Sequence, residues 1–335
     1  MREFRHVLAT LRRLDSPAVL ATLVRIEGSS YRRPGARLLL GATEVGSLSG
    51  GCLETDVRAR AQRVLASAQP VLLRYDLRAD RDVVWGHGLG CEGVAEVWLE
   101  RIDAEPAWMG DVERLLDARR SGWLLTALAD APDQSLAAGD RCVSIARPAK
   151  FPSHVVCEPL DPAFALWLFG AGEDARALAA LADRAGFDVH VVDPRPASLT
   201  PARFPNARLH ARHPCDGRRG LALDVRSGAV VMTHNVERDR EWLAALAGAT
   251  VGYLGLLGPR PRAERLRREL AENGVDWPAR LHAPVGLDLG ADTPEAIALA
   301  VAAEAHAVLA GAPATALCDR SGPIHAREEA ERRTA

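Results

Sequence analysis

Leu166–Arg195, with the sequence LWLFGAGEDARALAALADRAGFDVHVVDPR, is the stretch that decides the fold of the second half of the chain. An apolar segment runs into a glycine turn, an alanine- and leucine-rich segment follows, and a second apolar segment ends at Asp193. Strand, tight turn, helix and strand in this order are typical of a βαβ unit. Strand-like and helix-like segments keep alternating after Arg195, which predicts a doubly wound parallel sheet.

The glycine turn fits the pattern GxGxxA, in which Gly170 and Gly172 let the backbone approach a phosphate at the start of the next helix. Asp193 follows at the place where an acid commonly binds a ribose. Glu173 and Asp174 place negative charge beside the phosphate position, which argues against a nucleotide there. Two interpretations stay open: a dinucleotide site, or a doubly wound domain that keeps the turn without using it.

Two later strands end in polar residues that belong at the same edge of such a sheet. The segment VMTHNVERD carries His234, and YLGLLGPRPRAERL carries Arg260 and Arg262. Doubly wound sheets bind ligands at the carboxyl ends of their strands. We therefore predict that His234 and Arg260 bind the ligand, although a lone histidine or arginine is often structural.

The first half of the chain reads as strands around one long helix that begins near Leu53, which predicts a mixed α+β domain. A Pro-rich segment, Arg147–Pro162, marks the junction between domains. The predicted domains are residues 1–150, with the Gly/Cys loops, and residues 160–330, with the parallel sheet.

Two glycine-rich loops of the first half, GSSYRRPGAR and GSLSGGCLE, lie close together in sequence. Loop amides and guanidinium groups suit a phosphorylated ligand. We predict that this ligand is bound by the following residues: Arg32, Arg33, Arg37, Gly50 and Gly51. The alternative for the arginines is a solvated loop.

Cys52 lies where the second loop meets the predicted helix, and a helix N-terminus favours a reactive thiolate. Glu54, in the first turn, opposes that effect. A second glycine loop, WGHGLGCEG, carries Cys91 and His87, which join Cys52 only if the fold brings the two loops together. The alternative for any one cysteine is a small buried apolar side chain.

Composition excludes several classes of function. The chain of 335 residues is 48% hydrophobic and 26% charged, with a net charge of −2, which gives no basis for binding nucleic acid or an anionic membrane. No apolar run approaches a membrane span or a signal peptide. The six cysteines are scattered and lack metal-ligand spacing, so we expect reduced thiols, no metal site and a cytoplasmic protein.

Several stretches of the chain, taken in order, resemble the successive blocks of the XdhC/CoxI family. They are the two glycine loops, GLGCEGVAEVWLE, the stretch around Gly170, the two later strand ends and LHAPVGLDLGADTPEAIALAVAAEAHAVLAG. The resemblance implies a Rossmann-like second domain and an accessory protein for molybdenum hydroxylases such as xanthine dehydrogenase. Such a protein binds the molybdenum cofactor and supports its sulfuration by a cysteine desulfurase and its insertion into the apo-enzyme. It also implies that Cys52 and Cys91 are the motif cysteines that carry the chemistry. Glu173 departs from the family, whose members often have His or another residue there.

Two other functions remain open on the sequence. One is an NAD(P)-dependent oxidoreductase built on the second domain, with His234 as its proton-transfer residue. The other is a nucleotide-handling enzyme that acts on the dinucleotide form of the pterin cofactor. The sequence allows a homodimer without requiring one.

Overall fold

The computed structural model describes residues 2–28, 31–76, 93–131, 135–149 and 152–321. The chain divides into two units, Met1–Pro162 and Ala163–Ala335. The predicted fold class is confirmed: a mixed α+β unit precedes a Rossmann-like unit with a parallel sheet. The predicted domain limits stay a prediction.

The described part of the first unit contains two antiparallel sheets and three helices. The five-stranded sheet has the order β3-β2-β1-β5-β4, and the three-stranded sheet has the order β7-β6-β8. The strands are β1 (Ala18–Gly28), β2 (Arg37–Leu40), β3 (Glu44–Gly46), β4 (Val71–Asp76), β5 (Gly93–Ile102), β6 (Gly122–Ala127), β7 (Arg141–Ser144) and β8 (Val155–Leu160). The helices are α1 (Arg2–Leu11), α2 (Glu54–Ser67) and α3 (Trp108–Asp117).

The central strand β1 is buried on both faces because apolar residues follow one another along it. Val19 and Ala21 pack in the core that includes α2, whereas Leu20 packs in the core that includes α1 and α3. This packing fixes the start of α2 against the sheet, directly after the glycine loop that follows β3. The Pro-rich segment before Pro162 is more than a connection, because it forms β8 along β6.

The second unit has one six-stranded parallel sheet in the order β11-β10-β9-β12-β13-β14. Its strands are β9 (Ala165–Phe169), β10 (Asp188–Asp193), β11 (Arg208–Ala211), β12 (Ser227–Val231), β13 (Tyr253–Leu256) and β14 (Leu281–His282). Its helices are α4 (Glu173–Arg184), α5 (Val236–Leu246), α6 (Arg260–Glu272) and α7 (Pro294–Leu309). Residues of α4 and α7 pack on one face and residues of α5 and α6 on the other. The order reverses between β9 and β12, and ligands bind doubly wound sheets at such a point.

The glycine turn at this reversal requires glycine for a steric reason. Gly170 has a φ of +132°, and a Cβ added there would lie 2.4 Å from the carbonyl oxygen of Met232. The turn therefore packs directly on the backbone that follows β12.

Helix α7 begins as the sequence predicts, with Thr293 as N-cap and Pro294 as the first helical residue. The Thr293 hydroxyl accepts a hydrogen bond from the N–H of Ala296 at 3.3 Å. We expect Thr293→Ala to lower the free energy of unfolding by about 1 kcal/mol, the usual cost of losing a cap. Urea unfolding measures this, with Thr293→Ser as the control that keeps the hydroxyl. Equal losses in the two variants would show that the cap contributes nothing.

Candidate functional site

The loop that carries Cys52 is held in shape by a buried carboxylate. The Glu54 side chain is 6% exposed and accepts hydrogen bonds from the N–H of Leu48 and of Ser49 at 3.1 and 2.8 Å. The hydroxyls of Ser47 and Ser49 donate to it as well. Burial by itself would raise the pKa of Glu54, but these donors outweigh it and lower the pKa to about 2. Glu54 thus organises the loop, a role that its position in the sequence did not reveal.

The Ser49 side chain also holds this loop together, through hydrogen bonds with the backbone of the loop. Its Oγ accepts the N–H of Gly51 at 3.2 Å and the N–H of Leu53 at 3.1 Å. Among the residues that the structure describes, the N–H groups of Gly50 and Cys52 have no hydrogen-bond partner. Two backbone donors are therefore left on either side of Gly51, in the glycine loop just before the N-cap of α2, Leu53. Donors in such a place favour an anion.

Cys52 lies two residues before Glu54, the first residue of α2, as the sequence predicts. Its side chain is half-buried and touches the core below the loop. Gly51 is exposed and has a φ of +113°, and a Cβ added there would meet no atom of the described residues within 4 Å. The Cys52 thiol therefore follows directly after exposed backbone that carries no side chain.

Two of the candidate arginines, Arg32 and Arg37, pair with carboxylates of the chain. Arg37 is 2% exposed, and its guanidinium forms two hydrogen bonds with Glu158, at 2.9 and 2.6 Å. Arg32 binds both carboxylate oxygens of Glu3, at 2.7 and 2.6 Å. Arg33 is half-buried. The predicted contact of these arginines with phosphate stays a prediction, and in this structure the charges of Arg32 and Arg37 are balanced within the chain.

Glu3 brings the two glycine-rich loops together. Besides Arg32, its carboxylate accepts the N–H of Ser47 at 3.2 Å. The ring of Tyr31, next to Arg32, lies alongside Gly50, since a Cβ added to Gly50 would be 3.9 Å from the ring. The described part of the first loop, from Tyr31 onward, therefore lies against the loop that carries Cys52. Cys91 and His87 lie outside the described residues, so their predicted approach to Cys52 stays a prediction.

In the second unit, Asp193 turns inward at the glycine turn. It accepts the N–H of Ala171 at 3.0 Å and pairs with the guanidinium of Arg195 at 2.8 and 2.9 Å. Burial would raise the pKa of Asp193, but the bonds from Arg195 and Ala171 hold it below its ordinary value. The acid predicted to bind a ribose thus already binds the turn and its neighbour.

Acidic side chains border the rest of the turn. His234, which has a φ of +58°, places Nε2 3.1 Å from the Asp174 carboxylate, and its ring lies 3.5 Å from a Cβ added at Gly172. Arg203 donates to the Ala171 carbonyl and to Glu173, at 3.2 and 2.9 Å. Gly170, Gly172, Asp193 and His234 therefore do meet at the reversal of the sheet, as the sequence suggests, but mainly through contacts with one another.

The two arginines that follow β13 differ in their contacts. Asp239 is fully buried, accepts the Thr233 N–H at 3.1 Å and pairs with Arg262. Arg260 is exposed and makes no hydrogen bond or ion pair with the described part of the chain. Of the two arginines, only Arg260 remains available to a ligand.

One polar cluster was missed from the sequence. Glu304 on α7 accepts the hydroxyl of Tyr253 at 2.6 Å and the N–H of Gly286 at 2.9 Å, and His282 Nδ1 lies 3.0 Å away. No local pattern could reveal this cluster, because α7 brings a carboxylate to strands far from it in sequence. In the described ranges, no group of three or more His, Cys, Asp or Glu side chains is arranged to hold a metal ion, and no helix has the length and apolar character that crossing a membrane requires.

Comparisons with known proteins match both units. A model of the XdhC and CoxI family matches residues 11–76, and a model of the XdhC Rossmann domain matches residues 166–305. A Bacillus subtilis protein named as a probable xanthine dehydrogenase subunit is 34% identical over 91% of this chain and 97% of its own. The "Molybdenum cofactor insertion chaperone PaoD" of Escherichia coli is 26% identical over 87% of this chain and 83% of its own. A crystal structure described as that of a xanthine dehydrogenase from Bacillus halodurans superposes with a TM-score of 0.77 at 30% identity, covering 93% of this chain and 97% of that one.

Fold and site define a class of two-unit proteins, in which an α+β unit with a thiol loop precedes a Rossmann-like unit. The chain belongs to the XdhC and CoxI family, which confirms the resemblance found in the sequence.

Proposed function

We propose that this XdhC-like protein binds the molybdenum cofactor at the Cys52 loop and delivers it to a molybdenum hydroxylase of the xanthine dehydrogenase type. The observation that carries the proposal is the loop itself, in which the half-buried thiol of Cys52 follows the exposed backbone of Gly51, and the N–H groups of Gly50 and Cys52 have no partner among the described residues. The similarity to PaoD, which is named as a molybdenum cofactor insertion chaperone, supports the same function.

The residues present suit this cargo chemically. Backbone N–H groups at a helix N-terminus bind an oxyanion or phosphate without contributing a full positive charge. A thiol is a soft donor, suited to molybdenum or to the terminal sulfur of the cofactor. Because Glu54 and Ser49 hold the loop in shape, the donors are in place before the cargo arrives, which reduces the entropy cost of binding.

The partners follow from this role. We propose that the protein receives the cofactor, supports its sulfuration with a cysteine desulfurase as the sulfur source, and releases it to the apo-hydroxylase in the cytoplasm. Cys91 is proposed as the second thiol of the site, and a homodimer is compatible with the role. Whether the protein takes the mononucleotide or the dinucleotide form of the cofactor depends on the residues that contact the phosphate of the cofactor.

We propose no separate nicotinamide role for the glycine turn. A pyrophosphate there would compete with Asp193 for the Ala171 N–H and would face Glu173 and Asp174. Arg203 pairs with Glu173, and His234 contacts Asp174, so both side chains already have partners within the chain. NAD(P) binding and a proton-transfer role for His234 therefore find little support from the charges at the turn.

The test is direct binding. Molybdenum cofactor released from a purified molybdoenzyme, and separately NADH and NADPH, are titrated into the protein under anaerobic conditions and measured by retained molybdenum and by calorimetry. We expect the cofactor to bind and the nicotinamides to show no saturable binding. Tight nicotinamide binding with no retained molybdenum would overturn the proposal and favour the oxidoreductase.

A further inference from the structure

Tyr31 is an aromatic side chain that the structure leaves in solvent. It is 71% exposed, more than any other large hydrophobic side chain in the described ranges. Its ring runs alongside Gly50, where a Cβ would lie 3.9 Å from Cδ1 and 4.0 Å from Cγ. Because Gly50 has no side chain, the ring can rest beside the backbone of the Cys52 loop.

The chain that follows Tyr31 is anchored to the rest of the first unit. Arg32 is tied to Glu3, and Glu3 is tied in turn to the N–H of Ser47 in the Cys52 loop. Farther along, the N–H of Gly35 donates to the Leu23 carbonyl at 2.8 Å, which fastens the segment to β1. Tyr31 is thus held at the loop by contacts of its neighbours, not by burial of its own ring.

Several features lie close together at the Cys52 loop. The ring of Tyr31 lies beside Gly50, and the next residue, Gly51, is exposed. Cys52 adds a half-buried thiol and an N–H that has no partner among the described residues. A hydrogen-bond donor, a soft donor and an aromatic face together suit a ligand that joins an anionic or metal-bearing part to a flat ring.

We propose that Tyr31 is a positioning residue that stacks on the fused ring of a pterin while the Cys52 loop holds the opposite end of the molecule. The inference rests on the proposed function and adds the part of the site that recognises the ring. Stacking accepts any flat heteroaromatic face, and this explains why an aromatic side chain at such a place need not be buried in the free protein. The contact requires the ring of Tyr31 and not its hydroxyl.

The experiment compares Tyr31→Leu, which keeps an apolar side chain without a ring, with Tyr31→Phe, which keeps the ring. Ile145→Ala, another exposed apolar site at 60% exposure, is the matched control. Cofactor released from a molybdoenzyme is titrated into each variant, and the Kd is measured by retained molybdenum; a pterin without molybdenum is titrated as a second probe. We expect the Leu variant to bind both probes roughly tenfold more weakly, the size of one stacking contact, and the Phe and Ile145 variants to match the parent protein.

Each other outcome overturns the inference in a recognisable way. Equal binding by all variants, with the parent protein still binding cofactor, removes the role of Tyr31 and leaves the proposed function standing. Unchanged cofactor binding with reduced transfer to the apo-hydroxylase assigns Tyr31 to a protein contact instead. No binding by the parent protein overturns the proposed function, and the inference with it.

Discussion

Replacing Cys52 with alanine is expected to weaken cofactor retention by at least about tenfold, since even outer-shell changes at metal sites cost that much. Activation of an apo-hydroxylase should fall to the level seen without the protein. The reason is that the thiol is the soft donor on this loop, whereas the variant retains the N–H groups of Gly50 and Cys52, which lack a partner in the described part of the chain. Molybdenum per protein after gel filtration and the recovered hydroxylase activity are the two measurements.

Two matched variants make this result interpretable. Cys318→Ala removes an exposed thiol far along the chain and should behave as the parent protein. Cys52→Ser keeps the volume and the loop but supplies a hard oxygen, and we expect it to resemble Cys52→Ala. If Cys52→Ala retains cofactor and activates the hydroxylase normally, the thiol is not the cargo ligand and the glycine loop acts through its backbone alone.

Local patterns predicted a large part of the architecture. Strand, turn and helix around Gly170 are specified by residues next to one another, as are the N-cap and first residue of α7. The position of Cys52 just before α2 is likewise specified by residues close to it in sequence. Such features can be predicted from the sequence because apolar periodicity and capping act within one or two turns of the chain.

The partners of the candidate site could not be predicted, because they are distant in sequence. Arg37 meets Glu158 across 121 positions and Arg32 meets Glu3 across 29. From the sequence alone, free arginines beside glycine loops suggest phosphate binding, and only the fold brings carboxylates to them. Conversely, nothing in the sequence singles out Tyr31, whose interest comes from its exposure beside Gly50.

Replacing Glu54 with glutamine is expected to lower the free energy of unfolding by about 3 kcal/mol at pH 7. The estimate comes from the pKa of Glu54, which falls from an ordinary 4.5 to about 2 in the folded protein, at roughly 1.4 kcal/mol for each unit. A neutral amide offers one acceptor oxygen, so the hydroxyls of Ser47 and Ser49 and two backbone N–H groups can no longer all be satisfied.

The pH dependence identifies the cause of this loss. Because the folded pKa of Glu54 lies below the unfolded value, its carboxylate contributes its full stabilisation above pH 4.5 and loses it as the pH falls towards about 2. The difference in unfolding free energy between parent and Glu54→Gln should therefore be constant near neutrality and shrink below pH 4.5. Urea unfolding from about pH 7 to about pH 3 measures it, with Glu44→Gln as the control, because that carboxylate is exposed and pairs with Arg58 at the surface, where a pair contributes at most about 1 kcal/mol. A Glu54→Gln loss no larger than that of Glu44→Gln, or one that does not change with pH, would show that the carboxylate does not hold the Cys52 loop.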